Sequence, residues 1–195
     1  MMDITECRDL TSIQAVVFMI LFLQSSARLS TCYSYIGIAL RSSLRMGLHR
    51  KVSIKFDPIE RETRKRVFWI IRKMDIYVGA LLGLPQMLSD EDIDQEEPLE
   101  IDDEFITAEE IRPMPPGRVS FIAGSNAHTR LVVILQKIVR YIYPTKPHQG
   151  PNQAEHSYVV SHGKIREIER DLQLWMESLP MALRPGDDAP KELVR

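Results

Sequence analysis

Asp90, Asp92 and Asp94 alternate within the run DEDID, and alternating acids of this kind can open a calcium-binding loop. An EF-hand loop also needs Gly at its sixth position and Glu at its twelfth. Counted from Asp90, those positions hold Gln95 and Ile101, so the pattern fails and the acids read as a solvated or ion-paired strap. The five histidines (His49, His128, His148, His156 and His162) include no i, i+4 pair and no HExxH motif. Cys7 and Cys32 fit neither a disulfide framework nor a zinc spacing, and read as two reduced thiols in an intracellular protein. No GxSxG elbow, Gly-rich phosphate loop or Cys–His nucleophile pattern occurs. The residue types therefore point to no enzyme, and to no catalytic, cofactor-binding or metal-ligating residue in this chain. The basic run Arg61–Arg66 is interrupted by Glu62 and lacks an interleaved aromatic, so it reads as a helix surface rather than a nucleic-acid contact.

Charge is unevenly placed. Residues 86–111 hold twelve acids and no Lys or Arg, while the remaining 15 acids face 25 bases. An acidic strap on a basic body follows, and the strap can neutralise the charged end of the helix that precedes it. The longest apolar run, Ile13 to Leu23, spans 11 residues and contains Gln14, too short for a membrane span. The acidic N-terminus (Asp3, Glu6) argues against a signal peptide.

The strongest positioning element runs from Asp57. Asp57 suits an N-cap, Pro58 the first helical position and Glu60 the third, while Gly83 and Pro85 mark a stop. The pattern predicts a central helix over about 58–83, with a stripe of Val67, Ile70, Met74, Tyr77 and Leu81, widened by Phe68, Ile71, Val78 and Leu82. Asp75 is an acid among apolar residues. A buried carboxylate needs a partner, and the expected one is Arg41 or Arg45 of a preceding helix.

Four further helices are expected. The first opens at Thr11 or Ser12 and runs to about Ser26; it is apolar nearly all round, so protein should cover both sides. The second opens at Ser30 or Thr31 and ends near Met46, with Tyr33, Ile36, Leu40 and Leu44 inward. After a Pro-rich loop over 86–118, a fourth runs from Val119 to Tyr143 with Leu131, Ile134, Leu135, Ile138 and Ile142 inward. A fifth starts at a capping Asn152, with a stripe of Ile165, Ile168, Leu172, Trp175 and Leu179 and a weak point at Gly163. KELVR at the end reads as the start of another helix. The predicted fold is an all-α, bundle-like domain.

The segments GLHR (Gly47–Arg50), RKRVFW (Arg64–Trp69), Asp75, LGLP (Leu82–Pro85), SDEDID (Ser89–Asp94) and Pro98 occur in this order. Together they resemble the fungal-specific transcription factor domain, or middle homology region, of Zn(2)-Cys(6) binuclear-cluster transcription factors, including the xylanolytic-activator type. The resemblance covers Gln14 to Pro98 most strongly and continues to about Leu183, where YIYP and WMESLP fit. It implies a regulatory domain over 11–183, with a poorly specified start (1–10) and a tail (184–195). It marks Arg66, Phe68, Trp69, Asp75, Gly83, Pro85, Asp90, Asp92 and Asp94 as positions that hold the fold. It further implies nuclear control of RNA polymerase II genes through other regions of a full-length factor, co-regulators or a dimer partner. DNA and zinc belong, on this resemblance, to an N-terminal cluster that this sequence does not contain, which makes the chain a fragment or a truncated product. Leu84 stands where the family usually has Arg, removing one bridge to the strap. The alternatives are a metabolite-sensing helical module and a stand-alone interaction protein.

Overall fold

The structure, a computed structural model, describes residues 7–51, 56–142 and 161–184. The fold is all-α: α1 (Leu10–Ser25), α2 (Leu29–Arg45), α3 (Pro58–Leu82), α4 (Phe121–Ile142) and α5 (His162–Ser178), with short 3-10 turns at Asp90–Asp92, Asp103–Phe105 and Met181–Leu183. One isolated antiparallel bridge joins Ile106 and Ile111 in the Pro-rich stretch. Two compact units divide within α4, after Thr129. No described helix is long and apolar enough to cross a membrane.

The first unit is built on α1, α2 and α3. Ile13, Val16 and Ile20 of α1 meet Ile36 and Leu40 of α2 and Phe68, Ile71 and Val78 of α3 in one buried cluster. Burying each such side chain contributes about 1.5–3 kcal/mol. The central helix has the predicted ends. The Asp57 carboxylate accepts the Glu60 N–H at 2.9 Å, and Gly83 takes φ 66°. The Leu84 N–H then donates to the Gly79 carbonyl (2.8 Å) and the Gly83 N–H to Ala80 (3.3 Å), a Schellman stop. The depth of its stripes differs from expectation. Phe68, Ile71 and Val78 are sealed, whereas Leu81 lies 54% exposed in the final turn.

Other starts shift for local reasons. Asp9, not Thr11 or Ser12, caps α1, because its carboxylate accepts both the Ser12 N–H (2.7 Å) and the Ser12 hydroxyl (2.9 Å). α2 begins at Leu29 with no side-chain cap, since α1 reverses at Ala27 and the Arg28 N–H is taken by Leu23 (2.9 Å). α1 is not covered on both sides: Phe18 and Phe22 are 72% and 70% exposed. α4 starts at Phe121, where the Ser120 hydroxyl accepts the Ala123 N–H at 3.0 Å.

In the second unit, Lys137 of α4 bridges Glu167 and Asp171 of α5, each at 2.5 Å, and the Tyr141 hydroxyl donates to Glu167. Ser161 caps α5 through the Lys164 N–H. The expected start at Asn152, Tyr143 and the KELVR segment lie outside the described residues. Ile168, Leu172 and Trp175 are half-buried and Leu179 buried, but Ile165 is 41% exposed.

Ala27 closes α1 at φ 56°, a left-handed conformation that strains a residue with a Cβ. Ala27→Gly is expected to stabilise the domain by about 1 kcal/mol, raising its thermal midpoint by about 2–4 °C. A calorimetric midpoint at or below that of the wild type would show that the strain carries no cost.

Candidate functional site: the acidic strap on the central helix

Glu62, Lys65, Trp69, Arg72 and Asp75 recur at three- and four-residue steps, so they share one face of α3. The strap lies along that face in the opposite direction. At the far end, the Met87 backbone N–H donates to Asp75 Oδ2 at 3.0 Å. One turn back along α3, Arg72 donates to Asp90 Oδ1 at 2.6 Å. The Trp69 indole N–H then donates to the Glu96 carbonyl at 2.8 Å. Lys65 pairs with the Glu96 carboxylate at 3.1 Å and with Glu62 at 3.2 Å. Glu62 Oε2 closes the series by accepting the Leu99 N–H at 2.9 Å.

Beside this row, Arg66 donates to the Ile101 carbonyl at 2.9 Å and pairs with Asp103. The other flank is tied by Gln95, whose amide reaches the carbonyls of Leu48 (2.9 Å) and Arg50 (3.0 Å). Asn126 of α4 donates to the Pro98 carbonyl at 2.9 Å, and Asp102 accepts the Phe121 N–H at 3.0 Å. Leu88 and Pro98 of the strap are themselves buried.

Four charged α3 side chains beneath the strap are almost fully buried: Glu62, Lys65, Arg72 and Asp75. Their cost is offset because each meets an opposite charge. Glu96, gripped by Lys51 and Lys65, titrates at about 2. Asp75 moves the other way. Burial pushes its carboxyl above the usual range, against the Met87 N–H and Arg72, which favour the charged form.

The expected pairing of Asp75 with α2 is not what forms. Arg41 and Arg45 are exposed, and Arg45 donates instead to the Cys7 carbonyl at 2.5 Å. Asp75 takes Arg72 of its own helix, 3.8 Å away, because the three-residue step puts both on one face. The turn through Gly83 and Pro85 then folds the chain back, so that Met87 meets Asp75. Tyr33 of α2 fixes that turn, its hydroxyl donating to the Pro85 carbonyl at 3.1 Å.

The other marked residues divide cleanly. Phe68 is in the core, edge-on to Trp69 with ring centroids 5.6 Å apart. Arg66, Trp69, Asp75, Gly83, Pro85 and Asp90 serve the strap or its turn. Asp92 and Asp94 are exposed on its outside, where Asp92 favours the charged form of His49 and Asp94 that of Lys51. Leu84 is exposed. Glu62, Lys65, Arg72, Gln95, Glu96 and Asn126 were not singled out by the sequence, although Arg72 was detectable three residues before Asp75. Among the described residues, no group of three or more His, Cys, Asp and Glu is placed to hold a metal ion. Both cysteines are buried, and burial raises the Cys32 thiol.

The family model described as the fungal specific transcription factor domain matches residues 2–177. The chain belongs to this family. It is 46% identical to Activator of stress genes protein 1 of Candida albicans, over 96% of this chain and 20% of that protein. It is also 46% identical to Activator of stress genes 1 of Saccharomyces cerevisiae, over 95% of this chain and 19% of that protein. Identity is 33% to Transcriptional activator protein acu-15 of Neurospora crassa, over 89% of this chain. The chain thus spans about a fifth of the length of these relatives. No solved structure matches it. The strap bound to α3 is therefore a feature of a fungal transcription factor regulatory domain.

The buried and exposed ion pairs of this domain should differ in weight. Arg72→Met leaves Asp75 buried without its cation and is expected to destabilise by about 3–5 kcal/mol. Lys51→Met removes a solvent-exposed partner of Glu96 and should cost less than about 1 kcal/mol. Urea unfolding of the two variants would decide, and equal losses would show that the Arg72 network is not the stronger support.

Proposed function

We propose that the domain regulates a transcription factor by presenting helical surfaces, with no catalytic step of its own. The regulatory unit covers 11–183, with 184–195 as a tail. Recognition of DNA, and any zinc, belong to a cluster domain in full-length factors, and the work takes place in the nucleus. Its direct contacts are other regions of the same factor and co-regulators.

The observation that carries this reading is the outer face of α1. Phe18, Leu21 and Phe22 sit at helical spacing and are all exposed, and α1 carries no charged residue from Leu10 to Ser25. An apolar patch of this kind marks a contact surface. Its three side chains offer on the order of 300 Å², well below the roughly 800 Å² per partner of a stable interface between separate molecules. A patch this small suits a segment tethered in the same polypeptide, where effective concentration supplies what area does not. The relatives' greater length supports that occupant: an apolar helical segment of the same factor covers α1.

A reporter assay in yeast tests this. The chain is placed, alone or with Phe18→Ser and Phe22→Ser, within a full-length relative in exchange for its own matching region. The wild-type chain is expected to maintain regulated output, and the double variant to change basal output several-fold. Because both side chains are exposed, the isolated domain should keep its thermal midpoint within a few degrees. Output identical for the two chains would overturn the reading.

A further inference from the structure

Lys73 is buried like Lys65 and Arg72, with 8% of its surface exposed. Unlike them, it has no carboxylate within 4.0 Å among the described residues. Among the described residues its ammonium donates only to the hydroxyl of Ser125 on α4, at 3.3 Å. A hydroxyl brings no counter-charge, so an ammonium this deep retains much of its desolvation cost. Its pKa is lowered accordingly. Ser125 can accept from Lys73 and still donate its own proton elsewhere. His128 stands one turn further along α4, on the same face as Ser125. It is exposed, and close enough for the Lys73 charge, after burial, to lower its own pKa. The imidazole is therefore neutral near pH 7 and offers a ring N–H without a second positive charge.

We infer that Lys73, Ser125 and His128 form a binding site for a small carboxylate monoanion, with Lys73 the most buried of the three, Ser125 intermediate and His128 exposed to solvent. The single positive charge sets the class: a monoanion neutralises it, whereas a dianion brings an excess charge to a half-buried place. A carboxylate has two oxygens, enough to accept from the ammonium and the hydroxyl together. Occupancy would join α3 to the start of α4, beside the point where Asn126 holds the strap at Pro98. The site would give the regulatory domain a means of sensing a small organic acid, and it stands independently of what covers α1.

The test is thermal unfolding of the chain at pH 7 in sodium acetate or sodium chloride at matched ionic strength. Over 0–50 mM acetate, the wild-type midpoint is expected to rise by about 3 °C relative to chloride. Lys73→Met should abolish the difference. Should that variant fail to fold, Ser125→Ala keeps the ammonium and is expected to at least halve the rise. No difference between acetate and chloride for the wild type would overturn the inference. So would a full acetate effect persisting in Lys73→Met, or in Ser125→Ala.

Discussion

Two buried carboxylates on α3 accept backbone N–H groups from the strap, and the rest of the first unit depends on that arrangement. Asp75 takes Met87 and Glu62 takes Leu99. The two acids are thirteen residues apart, or about 20 Å along the helix. The strap between their donors is pinned at both ends and stapled between them by Arg72 and Trp69. A loop without regular structure must satisfy its N–H and C=O groups somewhere. Here one helix face supplies the partners that a sheet would otherwise provide.

This explains why α3 holds so many charges under cover. Replacing a buried ion pair by apolar residues is often neutral or stabilising. An apolar face could not, however, hold an irregular strap in register. The charged face specifies which strap residue meets which turn of the helix, and burial makes a wrong pairing costly. The acids left outside, Asp92 and Asp94, carry no such duty and lie in solvent near His49 and Lys51.

Much of this was legible in the residues. Asp57, Pro58, Gly83 and Pro85 state the ends of α3 because capping is local chemistry. The family motifs pointed to Arg66, Trp69, Asp75 and Asp90, and the notion that the strap neutralises the basic end of the helix holds for Lys65 and Arg66. What was missed has one cause. Apolar periodicity drew attention to the Val67–Leu81 stripe, while the polar row Glu62–Lys65–Trp69–Arg72–Asp75 has the same period and was not read as a stripe. The partners of that row include backbone groups of Met87, Glu96 and Leu99, which leave no side-chain signature. The uncovered side of α1 was also hidden, since a helix apolar all round does not reveal which face its own unit leaves bare.

The central claim is that the strap is a held part of the fold. Amide hydrogen exchange measures this at the two pinning donors. The account predicts that Met87 and Leu99 exchange as slowly as Phe68 in the core of α3, and far more slowly than Glu91 between them. Fast exchange at Met87 and Leu99, matching Glu91, would contradict it.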